Sequence, residues 1–332
     1  MIVLHHNDAD GRCAAAIVHA WVGIKGPIGL IRIKQGEWPA IEGVTFIEMD
    51  YAKPVPFDII QPNEQVWIVD FSLKLEDMDR LLSITKDVTW IDHHKTAIEK
   101  YVAYQYQVAG FRKDGVAGCV LTWQYVHWYS GRGSIPAIVG RSCPEFAESA
   151  EIVKHYAVPR GVLMIGDYDV WAHKIPGSTE FYEGMKLRDQ TPGSDDWWQV
   201  LTGEAEGFYG DGSPLPTRDV CGPIIEAGRT AIKYRDNYCA GMNKSYGFAS
   251  EIDGVKCWVC NIYAFGSMGF AQRMKEFPIC AACVFDGKKW TVSLYSDSGT
   301  DVSVICKAHG GGGHKQAAGF VSESFPFRRY DS

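Results

Sequence analysis

The first third of the chain alternates short apolar runs with longer segments whose apolar residues recur at helical spacing. Runs of four or five apolar residues are typical of buried strands, whereas apolar residues three and four apart are typical of amphipathic helices. The predicted strands are residues 2–5, 29–33, 45–49, 66–69 and 88–91, and the predicted helices are residues 11–25 and 75–86. Because strands alternate with helices, we expect an α/β domain built on a mostly parallel sheet flanked by helices.

The rest of the chain predicts a linker helix and a second, smaller domain. The predicted elements are helices over 116–129 and 145–155, an apolar run at 162–165, a helix over 222–242, and mostly strands beyond residue 251. Residues 191–216 are rich in Gly, Pro, Ser and Asp, which indicates irregular structure at a domain junction. We therefore predict a catalytic domain (1–190), a linker with a long helix (191–245) and a mixed α/β domain (246–332).

Composition narrows the class of protein. The 332 residues carry a net charge of −7, and 46% of them are hydrophobic, which is an ordinary globular balance. Proteins that bind long DNA or RNA usually present a basic surface, so the acidic balance favours a small phosphorylated substrate and no stable complex with a long nucleic acid.

The N-terminus lacks the pattern of a signal peptide, and no run approaches the roughly 20 apolar residues of a membrane span. We expect a cytoplasmic protein without membrane association, whose 10 cysteines are mostly reduced.

Acidic and histidine side chains follow the predicted strands at the points where the strands end. They are His5, His6, Asp8 and Asp10 after the first strand, Asp70 after strand 66–69, Asp92, His93 and His94 after strand 88–91, and Asp167 and Asp169 after the run at 162–165. Ligands of open α/β sheets bind at the carboxyl ends of the strands. We therefore expect these side chains to meet at one edge of the sheet.

Crowded carboxylates repel one another unless a positive charge neutralises them, and divalent cations are a natural solution. Carboxylates and imidazoles without thiolates suit Mn²⁺ or Mg²⁺, with Zn²⁺ or Fe²⁺ as alternatives. Two such ions can share a carboxylate, activate a water and hold a phosphoryl group. Any one of these segments alone is as consistent with a solvated turn, a helix cap or a polar strand end. Together they predict a two-metal site.

These residues resemble the four motifs of the DHH phosphoesterase superfamily. The matching segments are His6-Asn7-Asp8-Ala9-Asp10, Asp70, Asp92-His93-His94 and Asp167. Near the C-terminus, the segment GGGGHKQAAG at 310–319 resembles the GGGH motif of the DHH-associated domain, and the two matches follow the order expected of the family. The resemblance implies a metal-binding domain, a linker helix and a smaller substrate-binding domain, with the active site in the cleft between the domains.

The resemblance also implies a role for each matched residue. His6 and Asp8 would hold one Mn²⁺, Asp10, His93 and Asp167 would hold the other, Asp70 would bridge them, His94 would face the substrate phosphate, and Asp92 would orient a neighbour. The residues implied to bind the substrate's phosphate are Gly311, Gly312, Gly313, His314 and Lys315. His5 remains the alternative to His6, and Asp169 remains the alternative to Asp167.

The glycine-rich segment favours anion binding on physical grounds as well. Consecutive glycines let backbone N–H groups approach an anion closely, and Lys315 adds positive charge. The chain departs from the family at Tyr295, because many members carry arginine before the serine of that strand. If that arginine grips a phosphate, this chain must use another group or another substrate.

Four cysteines form two CxxC pairs with the spacing of a zinc ribbon. They are Cys257, Cys260, Cys280 and Cys283. The residues around them predict strands, and residues three apart on a strand point to opposite faces of the sheet. Free cysteine is also a common small buried residue. We therefore do not expect a structural zinc at these positions.

The leading functional prediction is hydrolysis of short oligonucleotides by a hydroxide that bridges two Mn²⁺ ions, with Mg²⁺ as the alternative metal. This is the activity implied by the nanoRNase-like branch, some members of which also remove the 3′-phosphate of 3′-phosphoadenosine 5′-phosphate. The alternatives are a cyclic-dinucleotide phosphodiesterase, a single-strand exonuclease and a non-catalytic nucleotide sensor. The sequence also leaves open whether the protein is a homodimer.

Overall fold

The computed structural model describes residues 1–24, 41–51, 53–130, 158–202, 219–263 and 265–329. The chain forms two compact units, Met1–Arg229 and Thr230–Ser332. Each unit has its own sheet and its own buried residues. The fold is therefore mixed α/β in two parts, as the alternation of strands and helices predicts.

The first unit is built on a four-stranded sheet in which every neighbouring pair is parallel. Its strands are β1 (Ile2–His6), β2 (Thr45–Met49), β3 (Val66–Val69) and β4 (Val88–Ile91), in the order β2-β1-β3-β4. The alternating side chains of β1 and β3 enter two different cores, since Val3 and Trp67 lie in one and Leu4 and Ile68 in the other. Burial on both faces explains why these strands are continuous apolar runs.

Helices cover both faces of this sheet. They are α1 (Ala9–Ile24), α2 (Leu75–Ile84), α3 (Lys95–Lys100), α4 (Gly118–Ser130), α5 (Arg160–Asp169), α6 (Ser178–Met185) and α7 (Asp195–Thr202), with a 3₁₀ turn at Phe57–Ile59. Met78 and Leu81 of α2 lie in the core on one face, and Ile17 of α1 and Leu121 of α4 lie in the core on the other. The sheet is therefore the middle layer of three. Its two faces are covered, whereas the carboxyl ends of its strands are the place where a ligand could bind.

The second unit is built on a seven-stranded mixed sheet. Its strands are β5 (Phe248–Ile252), β6 (Val255–Cys260), β7 (Ile279–Phe285), β8 (Trp290–Tyr295), β9 (Gly312–Gly313), β10 (Ala317–Ser322) and β11 (Arg328–Arg329). Their order in the sheet is β11-β5-β6-β7-β8-β10-β9. The long helix α8 (Cys221–Tyr246) begins in the first unit and ends in the second. The unit also contains α9 (Arg273–Glu276), α10 (Val302–Ala308) and a 3₁₀ turn at Gly266–Gly269.

The two CxxC pairs lie on neighbouring strands of this second sheet, β6 and β7, and all four thiols are buried. Cys257 and Cys283 pack in the core on one face, whereas Cys260 and Cys280 pack in the core on the other. The alternation expected of strands is therefore present, and it separates the thiols of each pair. Burial raises the pKa of the Cys257 thiol to about 12, which disfavours the thiolate that zinc requires.

Several sequence predictions differ from the structure or lie outside the described residues. The apolar run at 162–165, to which the sequence assigns no element because four apolar residues fit a strand or a buried helix turn equally well, belongs to helix α5. Helix α7 falls in the stretch predicted as linker, yet Trp197 and Leu201 are buried in the first unit's core. The predicted strand at 29–33 and helix at 145–155 lie outside the described residues. Within the described ranges, every helix is too short or too polar to cross a bilayer.

Candidate metal centre

The predicted residues of the first unit come from the carboxyl edge of its sheet. β1 ends at His6, and Asp8 and Asp10 follow it at the start of α1. β3 is followed at once by Asp70, and β4 is followed by Asp92, His93 and His94. Because these strands are parallel and adjacent, their ends lie side by side. The strand-end residues of the first unit are therefore brought to one end of the sheet.

One group of possible ligands consists of His6, Asp8 and Asp70, whose ligand atoms all lie within 4.8 Å of one another. The Nδ1 of His6 is 2.6 Å from the Oδ2 of Asp8 and 3.8 Å from the Oδ2 of Asp70. Hydrogen bonding to His6 lowers the pKa of Asp8 even though burial opposes its ionisation. This group therefore combines an ionised carboxylate with an imidazole.

A second group consists of Asp10, His93 and Asp169. The Nε2 of His93 lies 3.3 Å from the Oδ2 of Asp169 and 3.7 Å from the Oδ2 of Asp10. The same nitrogen lies 3.1 Å from the Oδ1 of Asp70. Asp70 therefore has one oxygen toward each group. We name the six residues His6, Asp8, Asp10, Asp70, His93 and Asp169 the acidic–histidine cluster.

Asp70 is the member of the cluster that most strongly indicates a bound cation, because it is fully buried and its oxygens have no hydrogen bond of good geometry within the described residues. Its side chain is 0% exposed, and neither carboxylate oxygen accepts a hydrogen bond of good geometry from any described residue. Burial raises the pKa of Asp70 well above its usual range, and the charges of Asp10 and Asp8 add to the rise. A buried carboxylate without donors is costly unless a cation neutralises it. The residues present therefore fit divalent cations.

Asp169 has the same electrostatic signature. Its buried Oδ2 has no hydrogen-bond partner within the described part of the chain. Burial raises the pKa of Asp169 to about 9, and the charges of Asp10 and Asp8 contribute to the rise. Such a carboxyl holds its proton at neutral pH unless a positive charge arrives. It is therefore poised to exchange that proton for a metal ion.

Asp10 is fixed by the beginning of helix α4. Its two carboxylate oxygens accept hydrogen bonds from the backbone N–H groups of Gly118, at 2.7 Å, and Cys119, at 2.8 Å. Such groups at a helix N-terminus favour a negative charge. Gly118 also has to be glycine, because a Cβ there would lie 2.6 Å from the Cβ of Asp70. One helix start therefore positions two members of the cluster.

Asp92 orients His94 rather than joining the cluster. Its Oδ1 lies 2.7 Å from the Nδ1 of His94 and accepts the backbone N–H of His93 at 2.8 Å. Its Oδ2 accepts a hydrogen bond from the hydroxyl of Ser72. Burial opposes ionisation of Asp92, but the hydrogen bonds from His94 and Ser72 outweigh it and lower its pKa. The bond to Asp92 likewise outweighs burial and raises the pKa of His94, which favours a protonated imidazole.

These contacts bear on two choices that the sequence leaves open. His6 lies in the cluster, whereas His5 is buried elsewhere, with its Nδ1 2.9 Å from the carbonyl oxygen of His6. Asp167 does not join the cluster, and Asp169 takes the place predicted for it. The physical reason is that the Asp167 carboxylate accepts the backbone N–H groups of Lys174 and Ile175, at 2.8 and 3.1 Å.

The predicted phosphate-binding segment Gly311–Lys315 lies in the second unit. The backbone N–H of Gly311 donates to the carbonyl of Cys306, and that of His314 donates to the carbonyl of Ala317, both at 2.8 Å. These two N–H groups are therefore used within the chain. The side chains of His314 and Lys315 are exposed and remain available to a ligand.

Sequence reasoning missed Ser72 and the aromatic residues beside the cluster. Ser72 lies two residues after Asp70, and a serine there carries no pattern of its own. The ring of Tyr51 lies 4.9 Å from that of Phe71 and 6.0 Å from that of His6. Tyr51 follows β2 at the same sheet edge as the cluster, so strand-end position is the signal that could have identified it.

The similarity of this chain to known proteins is low in sequence and is clearest in the fold. No protein-family model matches the chain. An uncharacterized protein of Acanthamoeba polyphaga mimivirus is 22% identical over 289 residues, which cover 81% of this chain and 56% of that protein. The chain thus spans little more than half the length of this curated relative.

Two solved structures extend along most of the chain. The DHH domain of a member of the s1p family of ribosomal proteins has a TM-score of 0.52 at 12% identity, covering 97% of this chain and 82% of that one. A structure of the exonuclease RecJ bound to manganese has a TM-score of 0.47 at 12% identity, covering 97% of this chain and 85% of that one. The first of these likenesses shows that the chain has the fold of a DHH domain.

Proposed function

We propose that this protein is a metal-dependent phosphoesterase that hydrolyses short oligonucleotides with two divalent cations, for which Mn²⁺ is the expected metal. The observation that carries the proposal is the carboxylate of Asp70. It is fully buried, neither of its oxygens accepts a hydrogen bond of good geometry from the described residues, and those oxygens lie 3.8 Å from His6 and 3.1 Å from His93. A structural role alone gives no reason to bury this carboxylate without donors among three other carboxylates.

The described residues contain three groups of possible ligands: two of them support one ligand set for each ion, and the third joins Asp70 and His93 to His94. His6 and Asp8 would hold one cation, Asp10, His93 and Asp169 would hold the other, and Asp70 would be shared. Mixed carboxylate and imidazole ligands suit Mn²⁺ or Mg²⁺, and the absence of thiolates from the cluster disfavours soft metals. Asp169 replaces Asp167 in this set because only Asp169 approaches His93.

When bound, two such cations supply a water of lowered pKa and positive charge beside the phosphoryl oxygens. The chain's own contribution is to orient and to bind. Asp92, held by Ser72, fixes the ring of His94 through Nδ1 and raises its pKa. In its protonated form the ring carries a second N–H, at Nε2, which would donate to a phosphoryl oxygen of the substrate. Because the donor is held in place beforehand, little reorganisation accompanies the reaction.

His314 and Lys315 of the second unit remain the phosphate-binding side chains that the family resemblance implies. His314 and Lys315 are exposed, and both carry donors suited to a phosphate. A net charge of −7 disfavours an extended binding surface for a long nucleic acid and favours a local phosphate-binding site. A substrate of a few nucleotides satisfies both observations.

Product analysis tests this proposal. The purified protein is incubated with Mn²⁺ and, in separate reactions, a dinucleotide, a five-mer, a thirty-mer, a cyclic dinucleotide and 3′-phosphoadenosine 5′-phosphate. We expect fast release of mononucleotides from the dinucleotide and the five-mer, with little cleavage of the thirty-mer. The Asp70→Asn variant, purified in parallel, controls for contaminating nucleases. Preference for the thirty-mer would replace the proposal with an exonuclease, and preference for the cyclic dinucleotide would replace it with a cyclic-dinucleotide phosphodiesterase.

A further inference from the structure

The turn that follows helix α5 holds two bulky residues in a backbone conformation that side chains rarely adopt. Trp171 has φ of 55° and His173 has φ of 49°. A residue with a Cβ is strained in this conformation, which persists only when its surroundings enforce it. The turn begins two residues after Asp169, a member of the acidic–histidine cluster. The strain is therefore located beside the candidate metal centre.

Asp167 is the residue that enforces this turn. Its carbonyl oxygen accepts the backbone N–H groups of Ala172 and His173, at 2.9 and 3.3 Å. Its carboxylate accepts those of Lys174 and Ile175, at 2.8 and 3.1 Å. Four donors from consecutive residues thus converge on one aspartate, which fixes the path of the chain through the turn.

A set of rings supports Trp171 from within the same unit. The ring of Trp171 lies 4.5 Å from that of His173 and 5.4 Å from that of Tyr168, with both pairs in edge-to-face geometry. Tyr168 is in turn stacked on Tyr182 at 3.9 Å. Edge-to-face contacts hold an aromatic ring without covering both of its faces. We name these four residues, Tyr168, Trp171, His173 and Tyr182, the aromatic group.

The aromatic group adjoins the acidic–histidine cluster. Tyr168 and Asp169 are consecutive residues of α5, and Asp169 lies 3.3 Å from His93. Burial raises the pKa of Tyr182, and the next largest contribution is the charge of Asp8, which places Tyr182 within electrostatic range of the cluster. A substrate whose phosphate is bound at the cluster would therefore have the aromatic group beside it.

Trp171 remains 60% exposed although it is the largest side chain of this group. An exposed tryptophan forgoes the stabilisation that burial of its ring would give. The turn thus combines strain and exposure in one residue, and both work against stability. This combination is typical of a residue kept for binding rather than for folding.

We propose that the face of Trp171, held by the aromatic group, stacks on a nucleobase of the substrate whose phosphate is bound at the acidic–histidine cluster. The inference rests on the proposed function and adds to it the binding site for a base. One exposed ring matches one base, whereas a stable protein partner needs about 800 Å² on each side. Stacking on a tryptophan is tolerant of base identity, since every base has a π-face. The site would therefore accept nucleotides of mixed sequence.

The test compares substrates that differ only in their bases. Steady-state kinetics with Mn²⁺ is measured for an adenine dinucleotide and for two analogues that each lack one adenine. We expect Trp171→Ala to raise KM for the full dinucleotide about tenfold with kcat little changed. We expect no rise for the analogue that lacks the stacked base, and Trp171→Phe should restore most of the affinity. Tyr234→Ala, which removes another highly exposed ring, is the matched control.

An unchanged KM for the dinucleotide in Trp171→Ala would overturn the inference, and so would an equal rise for all three substrates. If the wild-type protein hydrolyses none of them, the proposed function fails while the stacking site can still be judged by calorimetry. Adenosine 5′-monophosphate should then bind the wild-type protein more tightly than ribose 5-phosphate does, and Trp171→Ala should abolish the difference. Equal binding of the two probes to the wild-type protein would overturn the stacking site as well.

Discussion

Asp167 and Asp169 lie two residues apart on one helix, yet their carboxylates serve different purposes. The carboxylate of Asp169 lies 3.3 Å from the Nε2 of His93, whereas that of Asp167 accepts the backbone N–H groups of Lys174 and Ile175. On a helix, residues two apart point in different directions, so only one of the two can face the cluster. We infer that Asp169 is a metal ligand and that Asp167 fixes the following turn.

The two aspartates therefore form a matched pair for mutagenesis. We expect Asp169→Asn to lose at least one bound Mn²⁺. Mutation of a residue that only hydrogen-bonds to a metal ligand typically lowers activity roughly 10–100-fold, and we expect a larger fall in kcat for Asp169→Asn. We expect Asp167→Asn to keep both ions and to destabilise the fold by about 1–3 kcal/mol, since it weakens hydrogen bonds to a charged acceptor. Elemental analysis and thermal unfolding distinguish the two. Loss of metal in Asp167→Asn with retention in Asp169→Asn would reverse the assignment.

The metal-free protein should become less stable as pH rises. The pKa of Asp169 is raised to about 9 in the folded protein from an ordinary value of 3.8. The folded state therefore binds this proton more tightly than the unfolded state does, so the stabilisation is complete below about pH 4 and is lost as pH rises toward 9. Thermal unfolding measured in the presence of a chelator should show that Tm falls as pH rises across this range, because the protonated Asp169 loses its proton.

Metal binding should remove that pH dependence, because the ion replaces the proton. Saturating Mn²⁺ should flatten the dependence of Tm on pH, and calorimetry in buffers of different ionisation enthalpy should detect proton release on metal binding. A metal-free Tm that rises steadily through neutral pH to pH 9, or metal uptake without proton release, would contradict the protonated state of the cluster.

Gly118 should be required for the metal centre. A Cβ at this position would lie 2.6 Å from the Cβ and 2.8 Å from the Oδ1 of Asp70, so Gly118→Ala must displace the shared carboxylate. We expect this variant to bind Mn²⁺ at least tenfold more weakly. Gly241→Ala is the control, because a Cβ there meets nothing within 4 Å and should be neutral or stabilising by about 0.5–1 kcal/mol in a helix. Equal metal affinity in both variants would show that Asp70 is not constrained as we describe.

His314 should act on substrate and not on metal. It is exposed in the second unit, and the cluster consists of residues from the first. We expect His314→Ala to raise KM for a dinucleotide about tenfold, because one charge-assisted hydrogen bond to the substrate is lost. The Mn²⁺ content should stay unchanged. A variant that instead loses metal would place this residue in a different role.

Much of the fold follows from the sequence because both faces of the first sheet are buried. Val66–Val69 is an uninterrupted apolar run, Val88–Ile91 is interrupted only by Thr89, and the alternation of such runs with helical patterns favours a buried parallel sheet. The same reasoning locates Asp70 and His93, since residues that directly follow a strand must lie at the carboxyl edge of the sheet. The pattern of apolar runs is therefore enough to bring the strand-end residues together.

The rest depends on partners distant in sequence. Asp10 is fixed by the N–H groups of Gly118 and Cys119, more than a hundred residues away, and nothing near Asp10 announces them. The choice between Asp167 and Asp169 depends on donors from the turn at 174–175. The left-handed conformation of Trp171 is likewise invisible in a sequence, because tryptophan gives no local preference for it.

The central claim is that the buried carboxylate of Asp70 is shared between two metal ions. The most direct test is the number of Mn²⁺ ions bound per chain, measured by calorimetric titration and elemental analysis, in the wild-type protein and in Asp70→Asn. Our account predicts two ions for the wild-type protein and the loss of tight binding at both sites in the variant. A wild-type protein that binds no Mn²⁺, or a variant that still binds two ions with unchanged affinity, would contradict it.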